Sequence, residues 1–305
     1  MAFKRSPVRS WSAPPAPLLF LFLIAFPFVS AAEAGLPPGV GRQDASAGPA
    51  SWSRLEKEDF LRTAGIVGTV GVLGGVTKSV RITLRNERGT HDAHVQTIDQ
   101  AAAKFEGRGG QWELNFRDTY KFNVAAYLLD RMLDLNMVPA TVERIVDGKP
   151  SAVTWWIDDV LMDEKERLAK NVTPPRWARP NWNRQINILL VFDQLIANRD
   201  RNLGNIIITK NWTVWLIDHT RAFRMYKDLI DPGNLTACDR ALLADLRRLD
   251  RPSLEENLGG CLNGMEIDGL LARRDRIVEI FDGKIAREGE DAVLFDYLIA
   301  RRPRR

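Results

Sequence analysis

Three side chains in one stretch of this chain have the types and spacing to move a phosphoryl group. Asp200 and Asn205 lie in Leu195-Ile-Ala-Asn-Arg-Asp-Arg-Asn-Leu-Gly-Asn205, and Asp218 follows in Leu216-Ile-Asp-His-Thr220. Phosphoryl transfer asks little covalent chemistry of a protein; it asks for positioning and for neutralised charge. A carboxylate beside the attacking hydroxyl can take its proton, the role read for Asp200 as the catalytic residue. An amide oxygen and a second carboxylate are hard ligands suited to magnesium on nucleotide phosphates, the metal-ligand roles read for Asn205 and Asp218. Asp and Asn are also ordinary turn residues. The reading therefore rests on their context, a helix, a loop, a hairpin and an Asp in succession.

The elements that must hold these residues can be read on either side. Residues 183–197 carry Ile186, Leu189, Leu190, Val191 and Leu195, which predicts a buried helix delivering the Asp200 loop. Ile206–Ile208 and Thr213–Ile217, turning through Lys210-Asn211, predict a hairpin that ends on Asp218. Upstream, Ser53 and Glu56 form a capping-box pattern for a short helix over 55–64. The run Gly65–Gly75 has five glycines in eleven positions and reads either as a loop over phosphates, with Gly71, Gly74 and Gly75 closest to the nucleotide, or as a flexible hairpin.

Val80–Leu84 and Ala93–Ile98 alternate as strands about the turn Asn86–Gly89, so residues 65–116 read as a small antiparallel sheet. Asp118 is expected to open a helix that ends before Pro139, followed by strands over 141–146 and 152–157 joined through Asp147-Gly-Lys-Pro150. Trp156, beside Trp155, is a candidate wall of an adenine pocket, although a strand Trp also packs cores. From Asp158 helices dominate, with spans expected at 238–249 and 264–285. The fold class expected is α+β: a small antiparallel-sheet lobe with one helix, over 53–157, and a mainly helical lobe, over 158–300.

Composition limits what else the chain can be. Of the formal +4, Lys4, Arg5, Arg9 and Glu33 contribute +2 and Arg301, Arg302, Arg304 and Arg305 contribute +4, leaving the body near −2. A broad basic face for nucleic acid is thereby excluded. Residues 1–34 read as an export signal: a basic start, the apolar run Leu18–Val29, and the small-x-small site Ala32-Glu-Ala34. That run of twelve is short of the roughly 20 residues a membrane span needs. The segment would direct the chain to a periplasm or a secretory lumen, or, if kept, anchor it near a membrane. A Gly-, Pro-, Ala- and Ser-rich linker over 35–52 and a basic tail over 301–305 flank the body.

Cys238 and Cys261 allow one bridge or two buried thiols, and cannot make a structural zinc site alone. His91 and His94, three apart on a strand, are directed to opposite faces. P-loop, G-x-S-x-G, H-E-x-x-H and G-x-G-x-x-G patterns do not occur.

The segments Val191-Phe-Asp-Gln-Leu-Ile-Ala-Asn-Arg-Asp-Arg-Asn-Leu-Gly-Asn205 and Trp215-Leu-Ile-Asp-His-Thr-Arg-Ala-Phe223 resemble the catalytic segments of the bacterial phosphatidylinositol 3/4-kinase-like proteins. They are also similar to those of the HipA-like and the secretory-pathway (Golgi casein kinase-type) kinases. Phe116–Tyr127, Leu135–Pro139 and Thr154–Ile157 resemble the helix, following strand and hinge of the bacterial group. The resemblance implies a two-lobed protein-kinase-like fold, with ATP and Mg2+ as cofactors and an unknown phosphoryl acceptor as partner. His219-Thr220 stands where typical protein kinases have Phe-Gly.

One departure bears on activity. The strand-3 Lys and helix Glu that pair over the nucleotide in kinases align with Gln96 and Asn123 here, so Gln96 takes the cofactor-side position without a charge. A Gln–Asn pair can hydrogen-bond but supplies no cation to phosphates. Two readings stay open: an exported phosphotransferase acting on a hydroxyl of a protein or small molecule, and a pseudokinase that binds a nucleotide or partner without turnover.

Overall fold

The chain divides into two units, residues 1–45 and 46–305. The computed structural model describes residues 52–71, 80–106, 112–199 and 201–297, all of them in the second unit. The expected leader, the linker up to residue 51, Gly74, Gly75, Asp200 and the arginine tail lie outside the described residues.

Helix α1 (Arg54–Thr63) starts where the capping box requires, with the Ser53 hydroxyl accepting from the Glu56 N–H and the Glu56 carboxylate accepting from the Ser53 N–H. Strands β1 (Gly65–Gly71), β2 (Val80–Asn86) and β3 (Gly89–Gln96) run antiparallel in sequence. Then the chain leaves the sheet. Strands β4 (Asp99–Glu106) and β5 (Trp112–Thr119) pair only with each other, as a separate two-stranded arm. This corrects the expectation of one sheet over 65–116. It also ends the strand expected over 93–98 at Gln96, whose side-chain oxygen accepts from the Thr97 and Ile98 N–H groups and turns the backbone out of the ladder.

Helix α2 (Tyr120–Met132) opens on Thr119, whose hydroxyl accepts from the Lys121 N–H; Asp118 is the last residue but one of β5, not the helix start expected for it. β6 (Thr141–Val146) and β7 (Lys149–Trp155) form a hairpin whose two-residue loop is Asp147-Gly148, both at positive φ. That is the backbone an Asp-Gly hairpin turn adopts. The sheet order is β1-β2-β3-β7-β6. One face carries Ile82, Leu84, Ala93, Val95, Val153 and Trp155 into the core against α1 and α2. The face away from those helices carries Arg81, Thr83, Asp92, His94 and Thr154.

The second lobe begins with β8 (Val160–Asp163), α3 (Glu164–Ala169) and the long α4 (Arg179–Leu195). β9 (Ile206–Thr209) and β10 (Val214–Leu216) form the expected hairpin, with β8 added on the β9 side. After β11 (Cys238–Asp239) come α5 (Arg240–Arg248), α6 (Arg251–Leu258), α7 (Gly264–Glu288), α8 (Glu290–Val293) and β12 (Leu294–Phe295), the last pairing parallel with β11. Cys238 and Cys261 are both buried and free, so the two-thiol alternative holds. Among the described residues no helix is long and apolar enough to cross a membrane.

Candidate functional site

Helix α4 does more than bury an apolar face. It also buries Gln185, Asp193, Gln194 and, just past its end, Asn198, and each of them is hydrogen-bonded. Gln185 donates to the Trp212 carbonyl at 3.0 Å and accepts from the Val214 N–H at 2.8 Å, fixing the β9–β10 turn. Gln194 accepts from the N–H groups of Ile230 and Asp231. Buried polar groups are tolerated only when paired, so each of these bonds fixes a loop to the helix.

The helix ends in a Schellman pattern: the Asn198 N–H donates to the Asp193 carbonyl at 2.9 Å and the Ala197 N–H to that of Gln194 at 3.2 Å. Ala197 takes the left-handed position, φ 49°, that usually falls to Gly. The chain then enters the 199–205 loop, of which Asp200 lies outside the described residues. Its neighbour Arg201 grips both sides of the site. Arg201 Nε and Nη2 donate to the two oxygens of Asp193 at 2.9 and 2.8 Å, and Nη1 donates to the carbonyl of Ile217 at 2.8 Å. Both side chains are about nine-tenths buried (10% and 11% exposed). The segment at Arg201 and the residue before Asp218 are therefore tied to α4 through one guanidinium.

Asn205 closes a short 3-10 turn over 203–205, and its carbonyl accepts from the Ile217 N–H at 3.0 Å. Its side-chain amide donates to Asp218 Oδ2 at 3.3 Å, and the Thr220 hydroxyl donates to Asp218 Oδ1 at 3.3 Å. The structure thus brings the two predicted metal ligands together across the hairpin. Asp218 is exposed and sits at φ 55°, a left-handed conformation that costs a non-glycine residue about 1–2 kcal/mol. Its neighbours hold it there: the His219 N–H donates to Asn123 Oδ1 at 2.6 Å, and the Thr119 N–H donates to the Thr220 carbonyl at 2.9 Å.

These contacts redefine the altered kinase positions. Gln96 is buried with its oxygen bonded to its own following backbone, and the Asn123 oxygen is bonded to the Asp218 loop, so the two oxygens serve different segments. Helix α2 is tied directly to the Asp218 loop. Gly71 ends β1 opposite Val80, and a Cβ there would meet nothing within 4 Å. Trp155 is core, stacked on His91 at 3.7 Å, while Trp156 lies beneath the Arg81 guanidinium at 4.3 Å.

Arg81 was not singled out from sequence, and His94, Asp118 and His219 were read there without the surroundings the fold gives them. Arg81 pairs with Asp92, which also accepts from the Thr83 hydroxyl at 2.7 Å, so the sheet face away from the helices does carry a cation, one strand over from the expected place. The alternation Val80-Arg-Ile-Thr-Leu84 would have put Arg81 on this face. His94 shares it; burial lowers its pKa and the charge of Asp218 partly offsets that. Burial also pushes the Asp118 carboxyl above the ordinary carboxylate range, against the pull of the Thr220 hydroxyl and Arg221, with Asp218 adding to the rise. His219, fully buried edge-on to Phe192, is held far below the usual imidazole value by burial and by Arg201, and is neutral.

Asn205 and Asp218 offer one amide oxygen, after a flip of the amide, and one carboxylate, both hard donors. Magnesium or manganese on a nucleotide needs few protein ligands, because phosphates and water fill the rest. The pair fits that role. Among the described residues no group of three His, Cys, Asp or Glu is placed to hold a metal ion.

A five-stranded antiparallel sheet backed by α1 and α2, a helical lobe, and an Asn205–Asp218 pair at a hairpin make up an arrangement that solved structures share. The Golgi casein kinase with Mn/ADP bound superposes with a TM-score of 0.54 at 14% identity, over 79% of this chain and 78% of that one. A second structure of the Golgi casein kinase gives 0.52 at 14% identity, over 79% and 77%. The chain has a protein-kinase-like fold. A Helicobacter pylori proinflammatory kinase, CtkA, is also similar, at 11% identity and a TM-score of 0.46, over 75% of this chain and 98% of that one. No family model and no curated protein matches the sequence.

Proposed function

We propose that this chain is a nucleotide- and divalent-metal-dependent phosphotransferase that moves the γ-phosphoryl group of ATP to a hydroxyl on a protein or small molecule. The observation that carries the reading is the Asn205–Asp218 pair, 3.3 Å apart and held by backbone bonds from two different elements. In this reading Asn205 and Asp218 hold the Mg2+ and Asp200 takes the proton of the acceptor hydroxyl. Gly71, Gly74, Gly75, Gln96 and Trp156 surround the nucleotide. The metal, when bound, supplies neutralisation of the phosphate charge. The likeness to a kinase that binds Mn and ADP supports a nucleotide as ligand. The finer relation, to the bacterial phosphatidylinositol 3/4-kinase-like and HipA-like proteins, and export through residues 1–34 belong to the same proposal, resting on the sequence.

A specific observation favours the second reading, a pseudokinase. Neither Gln96 nor Asn123 offers a charge, and both side-chain oxygens are already bonded within the fold. The test is thermal stabilisation of the chain by Mg2+ or Mn2+ with ATP or ADP, beside Asp218→Ala, followed by single-turnover loss of γ-phosphate beside Asp200→Ala. The phosphotransferase reading expects metal-dependent stabilisation that Asp218→Ala abolishes, and turnover that Asp200→Ala abolishes. Stabilisation without turnover selects the pseudokinase. No stabilisation by any nucleotide removes both.

A further inference from the structure

Arg273, on α7, is buried completely, and its partners are three carbonyl oxygens from two other segments. Nε donates to the carbonyl of Leu195 at 2.8 Å; Nη1 donates to that of Arg224 at 2.8 Å and also to that of Tyr226. Its Nη2 has no partner. A buried cation without a carboxylate is costly, and neutral groups of similar size usually serve a core better. Burial pushes this guanidinium down to about 9.

Two features show what the charge is used for. Leu195 is the last residue of α4, so its carbonyl lies at the negative end of the helix dipole. Arg224 and Tyr226 lie just after the Asp218 loop. Gly269, one turn before Arg273, leaves room for the same contact: a Cβ there would fall 2.9 Å from Arg273 Nη1 and 3.0 Å from the Met225 carbonyl carbon and oxygen. Only a glycine lets the 224–226 backbone come this close to α7. Next to the guanidinium, the Phe223 N–H donates to the Ile196 carbonyl at 2.5 Å, joining the two segments directly.

We propose that Arg273 is a positioning residue: it staples the end of α4, which leads toward Asn205, to residues 223–226, which follow Asp218, so that the segments carrying the two proposed metal ligands keep one relative placement. Its donors reach backbone oxygens, which no phosphate or other modification has to supply, so the segment after Asp218 is held in place by the fold itself. The consequence for turnover rests on the phosphotransferase reading; the staple does not.

The test is hydrogen exchange of the full chain, followed by mass spectrometry, for wild type, Arg273→Gln and Arg273→Lys, with Mn·ADP affinity and single-turnover rate measured on the same samples. A glutamine carries at most two donors on one nitrogen, and a lysine can follow one carbonyl but cannot span three in the guanidinium plane. The expected result is exchange faster by about tenfold or more in both 195–205 and 222–231, with α5 and strands β2 and β3 unchanged. Turnover should fall by about tenfold or more while Mn·ADP affinity moves less than about threefold. Arg273→Lys should lie between, and is the variant to read if Arg273→Gln does not fold. Exchange that rises evenly through the helical lobe, or that stays unchanged in either segment, overturns the staple. If both segments loosen together but the wild type neither binds nucleotide nor turns over, the staple stands and the phosphotransferase reading falls. If the wild type turns over and neither variant loosens the segments, the reverse holds.

Discussion

Removing the charge of Asp193 should expose how the site is held. The Arg201–Asp193 pair is bidentate, with bonds of 2.9 and 2.8 Å, and both side chains are about nine-tenths buried. Breaking a buried pair by deleting one partner costs roughly 3–5 kcal/mol, because the other charge is left uncompensated. In Asp193→Asn the shape is kept and the Ile217 carbonyl still accepts from Arg201, so the loss belongs at the low end, about 3 kcal/mol. For a body of this size that lowers the melting temperature by about 6–12 °C. The double variant Asp193→Asn with Arg201→Met removes both charges together and should cost less than the sum of the two single changes. The assay is urea unfolding of the four proteins in one buffer, together with Mn·ADP affinity. Arg201→Met should also weaken Mn·ADP binding, since Ile217 loses the bond that sets Asp218. Single variants that lose under about 1 kcal/mol, or a cycle in which the two losses simply add, would refute the claim that this pair is a buried, coupled hinge pin.

Other expectations follow from the same contacts. Asn123→Ala strips the buried His219 N–H of its acceptor and should cost about 1–3 kcal/mol in urea, whereas Asn123→Asp, which keeps an acceptor, should cost less; equal losses in the two would mean that the bond does not hold the Asp218 loop. Asp218→Ala should abolish metal-dependent stabilisation by ADP while leaving the melting temperature without ligand equal or higher, since alanine replaces a carboxylate beside Asp118; a retained metal effect would place the ligand elsewhere. Burial pushes the Cys261 thiol up to about 11 from an ordinary 9. Its folded value is raised, so the stability tied to the protonated thiol is whole below pH 9 and is lost as pH rises through 11. Urea midpoints between pH 8 and 11 should therefore fall less steeply in Cys261→Val, by at most about 1.4 kcal/mol per pH unit. Neither Cys238 nor Cys261 should react with iodoacetamide in the folded chain at pH 8, and both should after unfolding.

Several elements of both lobes could be read from local signals. Periodicity marked α4, β-branched runs marked the β9–β10 hairpin, and the capping box fixed the start of α1 to within a residue. The arm formed by β4 and β5 was missed as a separate sheet, because strand alternation does not say which strand pairs with which. The start of α2 was placed at Asp118, a good N-cap residue, while Thr119 takes that role one position later.

What the sequence by itself determined is the chemistry available: an Asn and an Asp as hard oxygen donors, a glycine-rich run over 65–75, and no charged pair at Gln96 and Asn123. Residue types and short spacings carry that information because side-chain chemistry and local backbone preference are local properties. What only the tertiary structure decided is how the charges and oxygens are used. Asn123 turns out to hold the loop of Asp218, Arg81 brings a cation to the sheet from β2, Arg201 joins Asp193 to the Ile217 carbonyl, and Arg273 sits far down the chain, on α7, with its donors on the backbone of two other segments. Each of these contacts joins residues whose partner, often a backbone carbonyl, has no signature in the side-chain sequence. Burial, which makes such bonds strong and their loss costly, exists only once the chain has folded.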